Sequence, residues 1–335
     1  MRSLLKTQTP EVRPVVRTAS LPDDADDPAI WLHPRNSRLS LILGTNKARA
    51  PRGAIGVYDL NGRMLQMIQN IDQPNNIDVA YGFAFGQERI DIAVATERYA
   101  SRLRIFRIDP ARRRLIDLTD PDGAKVFIGE TDERAMPMGV ALYHAGRGEV
   151  HAIVSRKSGP NQGYLHQYRL VPMRNGRVSV QLIRAFGAFS GKGEIEAICV
   201  DSELGYVYYA DENVGIRKYH ANPNMPEREL ALFATEYEGD QEGIAIYAPK
   251  QGESYLLCTE QLEGGSKLHL YPRFGRQSKP IATLNIGADD TDGLDASAHN
   301  FGAPFESGMV VAMNSKDRNF WIYRWADIQA AAQLR

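Results

Sequence analysis

The chain has 335 residues, 43% of them hydrophobic and 24% charged, which is ordinary for a globular protein able to bury a large core. Forty Lys and Arg against 41 Asp and Glu give a formal charge of -1, so bulk electrostatic attraction to nucleic acid or to a membrane surface is excluded. No apolar run reaches transmembrane length, and the 29 glycines and 18 prolines leave room for many turns and few long helices.

In chain order, the first twenty residues carry early positive charge without the apolar core of a signal peptide, so no export leader is visible. Within them Arg13 to Ala19, RPVVRTA, reads as a strand. From Asp26 onward one short pattern, polar or acidic, then small, then apolar, recurs. Its occurrences are DDPAIWLHP at Asp26, NNIDVAYGF at Asn75, MPMGVALYH at Met136, EIEAICVD at Glu194, DQEGIAIYA at Asp240 and DTDGLDAS at Asp290. The spacing is about 45 to 60 residues, the length of a propeller blade of four short strands.

A second apolar run ending in polar residues follows each occurrence, for instance LSLILGTNK, IDIAVATER and YVYYADE. Third and fourth runs rich in β-branched and aromatic residues complete most units, as AIGVYDL with RMLQMI does in the first. The last unit offers only three runs, and the N-terminal strand can supply its fourth and close the ring. The expected fold is all-β: a six-bladed β-propeller in a single domain over residues 12–328, with an extension at 1–11 and a tail at 329–335. A pair of sandwiches or a β-helix fits the unit length and six-fold count less well. The final stretch WADIQAAAQLR reads as a short surface helix, and Cys199 and Cys258, inside apolar runs without metal or disulfide spacing, read as buried free thiols.

In a propeller the first strand of each blade lines the central channel, so residues opening the repeats become neighbours at one mouth. Those positions hold Asp26 with Asp27, Asn76 with Asp78, Met138, Glu196, Glu242 with Asp240, and Asp292. A ring of carboxylates repels itself unless cations neutralise it. An oxygen-rich cluster suits a hard cation, calcium first, whereas the scattered histidines give no zinc spacing. The second runs end in Lys47, Arg98, Lys157, Glu212, Gln261 and Ser315, basic in the first three blades and acidic, amide or hydroxyl in the others. Such a mouth suits a phosphate-rich anion held by Lys and Arg while it bridges bound metal. The plainer alternative is that these bases only offset nearby acids.

From about Pro22 to the end, DDADDPAIWLHP, GTNK, NNIDVAYGF, the Glu-Gly of DQEGIAIY and DTDGLDAS resemble, in order, the motifs of the calcium-dependent β-propeller phytases. The resemblance implies a phosphomonoesterase in which calcium at the channel mouth activates water against phytate or its calcium salt. It implies that Asp26, Asp27, Glu196, Glu212, Asp240, Glu242, Gln261 and Asp292 form the metal site. It further implies that Lys47, Arg98 and Lys157 clamp the phosphate and, with Glu212, carry the catalysis, and that Asn76 and Asp78 order the surrounding shell. An exported protein is implied as well, although no leader is visible.

The chain departs from the family pattern at Met138, where a tyrosine is usual, and at Ser158, where a glutamate follows the clamp lysine. Thr259-Glu260-Gln261-Leu262 replaces a Ser-Ser-Gln-Gly run, and in the shortened loop NIGADD, Asp289 or Asp290 stands in for a metal-ligand aspartate. A calcium-dependent lactonase or phosphodiesterase, and a non-catalytic propeller that binds an anion or partner, are the competing functions. The three bases argue against a neutral lactone.

Overall fold

Short apolar runs punctuated by Gly, Asn and Asp turns fold into consecutive antiparallel hairpins. The computed structural model describes residues 9–334; residues 1–8 of the expected extension and the last residue of the expected tail lie outside them. Among the described residues the strands form six four-stranded sheets, each ordered from the channel outward, giving a six-bladed β-propeller. Blade one runs Ala25–Trp31, Leu41–Asn46, Ala54–Tyr58 and Met64–Ile68. The innermost strands of blades two to six are Pro74–Phe85, Pro137–Gly146, Ile198–Asp201, Gln241–Tyr247 and Leu294–Ser297.

Burial falls from the inner strands to the outermost one: Ala25–Trp31 is buried throughout, whereas Met64–Ile68 is half-buried or exposed. The core therefore lies between blades. Trp31, Leu43, Val79 and Ala95 pack blade one on blade two, and Phe83, Val94, Leu142 and Val154 pack blade two on blade three. Each Val, Leu or Phe side chain so removed from water contributes about 1.5–3 kcal/mol, so neighbouring faces hold one another.

The ring closes as the strand count requires. Val16–Arg17 pairs antiparallel with Trp321 and Ile322 on the outside of the last sheet. The regular strand is shorter than Arg13 to Ala19, but the Val15 and Thr18 amides extend the pairing by donating to the Ile322 and Phe320 carbonyls, both at 2.9 Å. Upstream, the Asn285 amide donates to the Pro10 carbonyl and the Val12 amide to the Asn285 carbonyl, so the same segment also straps blade five. The expected C-terminal helix is Trp325–Ala331; its Trp325 stacks on Tyr247 with ring centres 3.4 Å apart and Ile328 is buried, so its inner side belongs to the core. Cys199 and Cys258 are both free; Cys258 is buried, and Cys199 is half-buried on the channel wall.

Candidate active site at the channel mouth

The mouth is built by two backbone devices repeated from blade to blade. The first sets the end of the second strand. The amides of Lys47, Arg98, Lys157, Glu212, Gln261 and Ser315 donate to the carbonyls of Asp24, Gln73, Met136, Glu194, Asp240 and Asp289, respectively. The six residues that end the second runs thus occupy one equivalent position on one rim.

The second device is a bulge at the start of the innermost strand. In blades one, two, three and five the register shifts between Ala25 and Pro28, Pro74 and Ile77, Pro137 and Val140, and Gln241 and Ile244. Two inner residues there face one residue of the second strand, always Thr or Ser. Its hydroxyl accepts the amide that the ladder leaves over: Asp27 to Thr45, Asn76 to Thr96, Gly139 to Ser155 and Gly243 to Thr259, at 2.6–3.2 Å. Thr45, Thr96 and Ser155 then donate to the Asn75, Met138 and Ile195 carbonyls of the next blade. Inner strands approach closely at these points: a Cβ on Gly139 would lie 1.9 Å from the Glu196 carbonyl oxygen, and one on Gly243 would lie 2.4 Å from the Leu294 Cβ.

This register identifies the opening residues of those four blades as Asp26, Asn75, Met138 and Glu242, and the shared rim bond and the ladders of blades four and six put Glu196 and Asp292 at the matching places there. In blade two it is Asn75, not Asn76, that stands level with Asp26. Asn76 takes the place of Asp27, and its amide is held by Thr96. Met138 is fully buried and leaves blade three without a polar opening residue.

The bases of the first three blades meet carboxylates across the mouth. Lys47 Nζ lies 2.5 Å from Asp26 Oδ2 and 3.3 Å from Asp292 Oδ2. Arg98 bonds Asn75 Oδ1 and lies 3.6 Å from Glu196 Oε1, while Asn75 Nδ2 donates to Glu196 Oε2 at 2.8 Å. Lys157 pairs with Glu194. Gln261 Nε2 donates to Asp292 Oδ1 at 2.5 Å. The bases do offset acids, and Asn75 and Glu194 are partners that the sequence reading did not single out. Glu194 opens its own repeat, which was the available signal; Asn75 was hidden by the ambiguity of two adjacent asparagines.

The acidic half is crowded. One carboxylate oxygen from each of Glu212, Asp240 and Glu242 lies within 4.8 Å of the other two. Burial pushes Glu212 up to about 8, with Glu196, Glu194 and Asp240 adding repulsion against the bond from the Glu194 amide. Burial also drives Glu242 and Asp26 well above the carboxylate range, and Asp292 to about 6 despite Lys47. Glu196 is the exception, since Lys47, Arg98 and Asn75 outweigh its burial and hold it low. Lys47 is raised because Asp26, Glu196 and Asp292 overcome the effect of burial.

Below the mouth a cavity of about 200 Å³ continues along the channel, lined among others by Asp27, Asp78, Cys199 and Asp295. Here Asp27, Asp78 and Asp295 accept the amides of Ile77, Leu142 and Ile30 in the following blade, at 2.7–2.9 Å. Asp27 thus faces down the channel rather than into the Glu212 cluster, and Asp295, not foreseen from the sequence, completes this lower set.

The cluster fits a hard divalent cation. Its donors are all oxygen, and among the described residues the three carboxylates make no ion pair and buried Glu242 Oε2 has no hydrogen-bond partner.

Fold and site together describe a propeller whose channel mouth sets three bases beside a metal-capable acidic cluster. The profile of the family described as Phytase matches residues 4–333, and the chain belongs to that family and is a phosphoric monoester hydrolase. The 3-phytase of Bacillus subtilis (strain 168) is 31% identical over 332 residues, covering 92% of this chain and 81% of that protein. Among solved structures, a calcium-binding regucalcin from Agrobacterium tumefaciens str. C58 aligns with a TM-score of 0.57 at 10% identity, covering 94% of this chain and 95% of its own. A luciferin-regenerating enzyme aligns with a TM-score of 0.54 at 11% identity, covering 92% and 94%. At such identities the two structures show the fold alone.

Proposed function

We propose that this chain hydrolyses phytate at the channel mouth with calcium as its metal. The observation that carries the reading is the set of six equivalent backbone bonds that brings Lys47, Arg98 and Lys157 onto one rim with Glu212 and Gln261. A polyphosphorylated ring offers phosphates to the bases on one side and to a metal on the other, whereas a neutral ester would bring no anion to compete for the three bases with their present partners. The 31% identical 3-phytase supports the same substrate.

Calcium would be held by Glu212, Asp240 and Glu242, with Glu196, Asp26, Asp292 and Gln261 around them, and would supply the Lewis acidity that polarises phosphoryl oxygen and activates water. The chain's own residues do the rest. Lys157, with 28% of its side chain exposed, is the most accessible base and binds an incoming phosphate first. Arg98, fixed by Asn75 and Glu196, presents a rigid guanidinium to the phosphoryl oxygens as charge develops on them. Lys47 turns to phosphate when Asp26 and Asp292 are otherwise neutralised. Glu212 has Oε2 fixed by the Glu194 amide, and once the cation holds its carboxylate ionised its other oxygen would accept a proton from attacking water. Asp27 and Asp78 hold neighbouring blades in register, so the mouth keeps its shape. Phosphate release from phytate is expected with calcium and should vanish with chelator; release that survives chelation would refute the calcium assignment, and none under any condition would refute the substrate.

A further inference from the structure

A second cationic recess lies at the opposite rim, between blades four and five. In blade four the strand Tyr206–Asp211 ends at the mouth beside Glu212, so Tyr206 stands at the far end; Gly215–His220 returns there with Lys218 and His220. In blade five Lys267–Pro272 also runs away from the mouth and leads into a far-rim loop carrying Arg276. Together with Arg228 these residues line a recess of about 530 Å³ whose wall contains no carboxylate.

Among the described residues Lys218, Arg228 and Arg276 make no ion pair. Lys218 is 8% exposed, faces the recess and makes no ion pair among the described residues; its Nζ rests over the Tyr206 ring at 4.0 Å and the Tyr208 ring at 5.3 Å. The nearby acids are already used: Arg273 binds Asp201 at 2.6 and 2.7 Å and Glu203 at 2.7 Å. Burial lowers the pKa of Lys218 although Asp201 opposes the shift, and burial first, then Arg228, Arg184 and Lys218, lower that of His220. A buried ammonium that faces an open recess without an anion is costly unless a ligand supplies one. Beside the charges lies an apolar wall: Leu232 is 40% exposed, Phe233 stands next to it, and Tyr206 stacks on His220 with ring centres 5.6 Å apart.

We infer that this recess is a second anion site, remote from the mouth, for a small phosphate ester carrying a ring or apolar body. Lys218, Arg228 and Arg276 take the phosphate, and Leu232, Phe233 and Tyr206 take the body.

The test uses phenylphosphonate, whose phosphorus–carbon bond resists phosphatase action, and methylphosphonate, titrated by NMR into the full chain with methyl-labelled leucines under chelator. Phenylphosphonate should shift the Leu230 and Leu232 methyls saturably and bind at least about 3-fold more tightly than methylphosphonate. Lys218→Met with Arg276→Ala should weaken binding by about 10-fold or more while phytate hydrolysis with calcium stays within about 2-fold of the unmodified chain. Should Lys218→Met disturb folding, Arg276→Glu alone, on the loop, should still weaken binding. The absence of a saturable shift, equal affinity for the two phosphonates, or unchanged binding by Arg276→Glu would each overturn the site.

Discussion

Two halves of the mouth use one backbone position for opposite ends. In blades one to three the residue just after the second strand is Lys47, Arg98 or Lys157; in blades four to six it is Glu212, Gln261 or Ser315, and all six donate the same kind of amide bond to a carbonyl just before the opening residue. The scaffold therefore fixes where a side chain emerges and leaves its charge free to vary, so one ring can carry a row of bases and a metal-capable cluster side by side. The halves also differ in how their charge is settled. Each base has a carboxylate or amide partner, whereas Glu212, Asp240 and Glu242 face one another.

The largest effect should come from the basic half. Arg98→Ala and Lys47→Ala should each slow phosphate release from phytate by about 30- to 1000-fold, because a charge-assisted contact that strengthens in the transition state is worth roughly 2 to 4 kcal/mol. The two should differ in stability. Lys47→Ala leaves Asp26, which is 1% exposed, without its cation, so its melting temperature in chelator should drop further than that of Lys157→Ala. Rates near those of the unmodified chain would place the clamp elsewhere.

A smaller effect, on stability, sharpens the acidic half. Carboxyls raised in the folded state bind protons that the unfolded chain has already released, so their stabilising contribution is full below the ordinary carboxylate range and is lost as pH climbs. For Asp292 the loss runs through about 6, and for Glu212 through about 8. The melting temperature in chelator should therefore fall between about pH 5 and the Glu212 value, while calcium, by pairing with the ionised forms, should hold it level. Parallel curves with and without calcium would mean that these acids do not meet the metal.

The fold was legible in the sequence because a propeller writes itself as repeated apolar runs at blade spacing. The closing strand was legible because the last unit lacked one. The rim positions were legible for the same reason, as the polar residue ending each second run is a fixed distance along the repeat. The bulge was not, since two adjacent inner residues facing one Thr or Ser depend on a hydrogen bond that sequence spacing does not display; hence Asn76 was aligned with the opening ring where Asn75 stands. Partners such as Glu194 for Lys157 lie across blades, and which side chain bends inward is settled only by packing. The far-rim recess draws Lys218, Arg228 and Arg276 from two blades with no shared motif.

The division of labour is tested most directly by phosphate release from phytate titrated with calcium, comparing Lys157→Ala with Glu242→Gln. Glu242→Gln should need about 10-fold more calcium yet approach the rate of the unmodified chain at saturation, because losing one oxygen ligand weakens the cation first. Lys157→Ala should saturate at ordinary calcium and stay slow. Rescue of Lys157→Ala by calcium, or a calcium requirement unmoved by Glu242→Gln, would contradict the account.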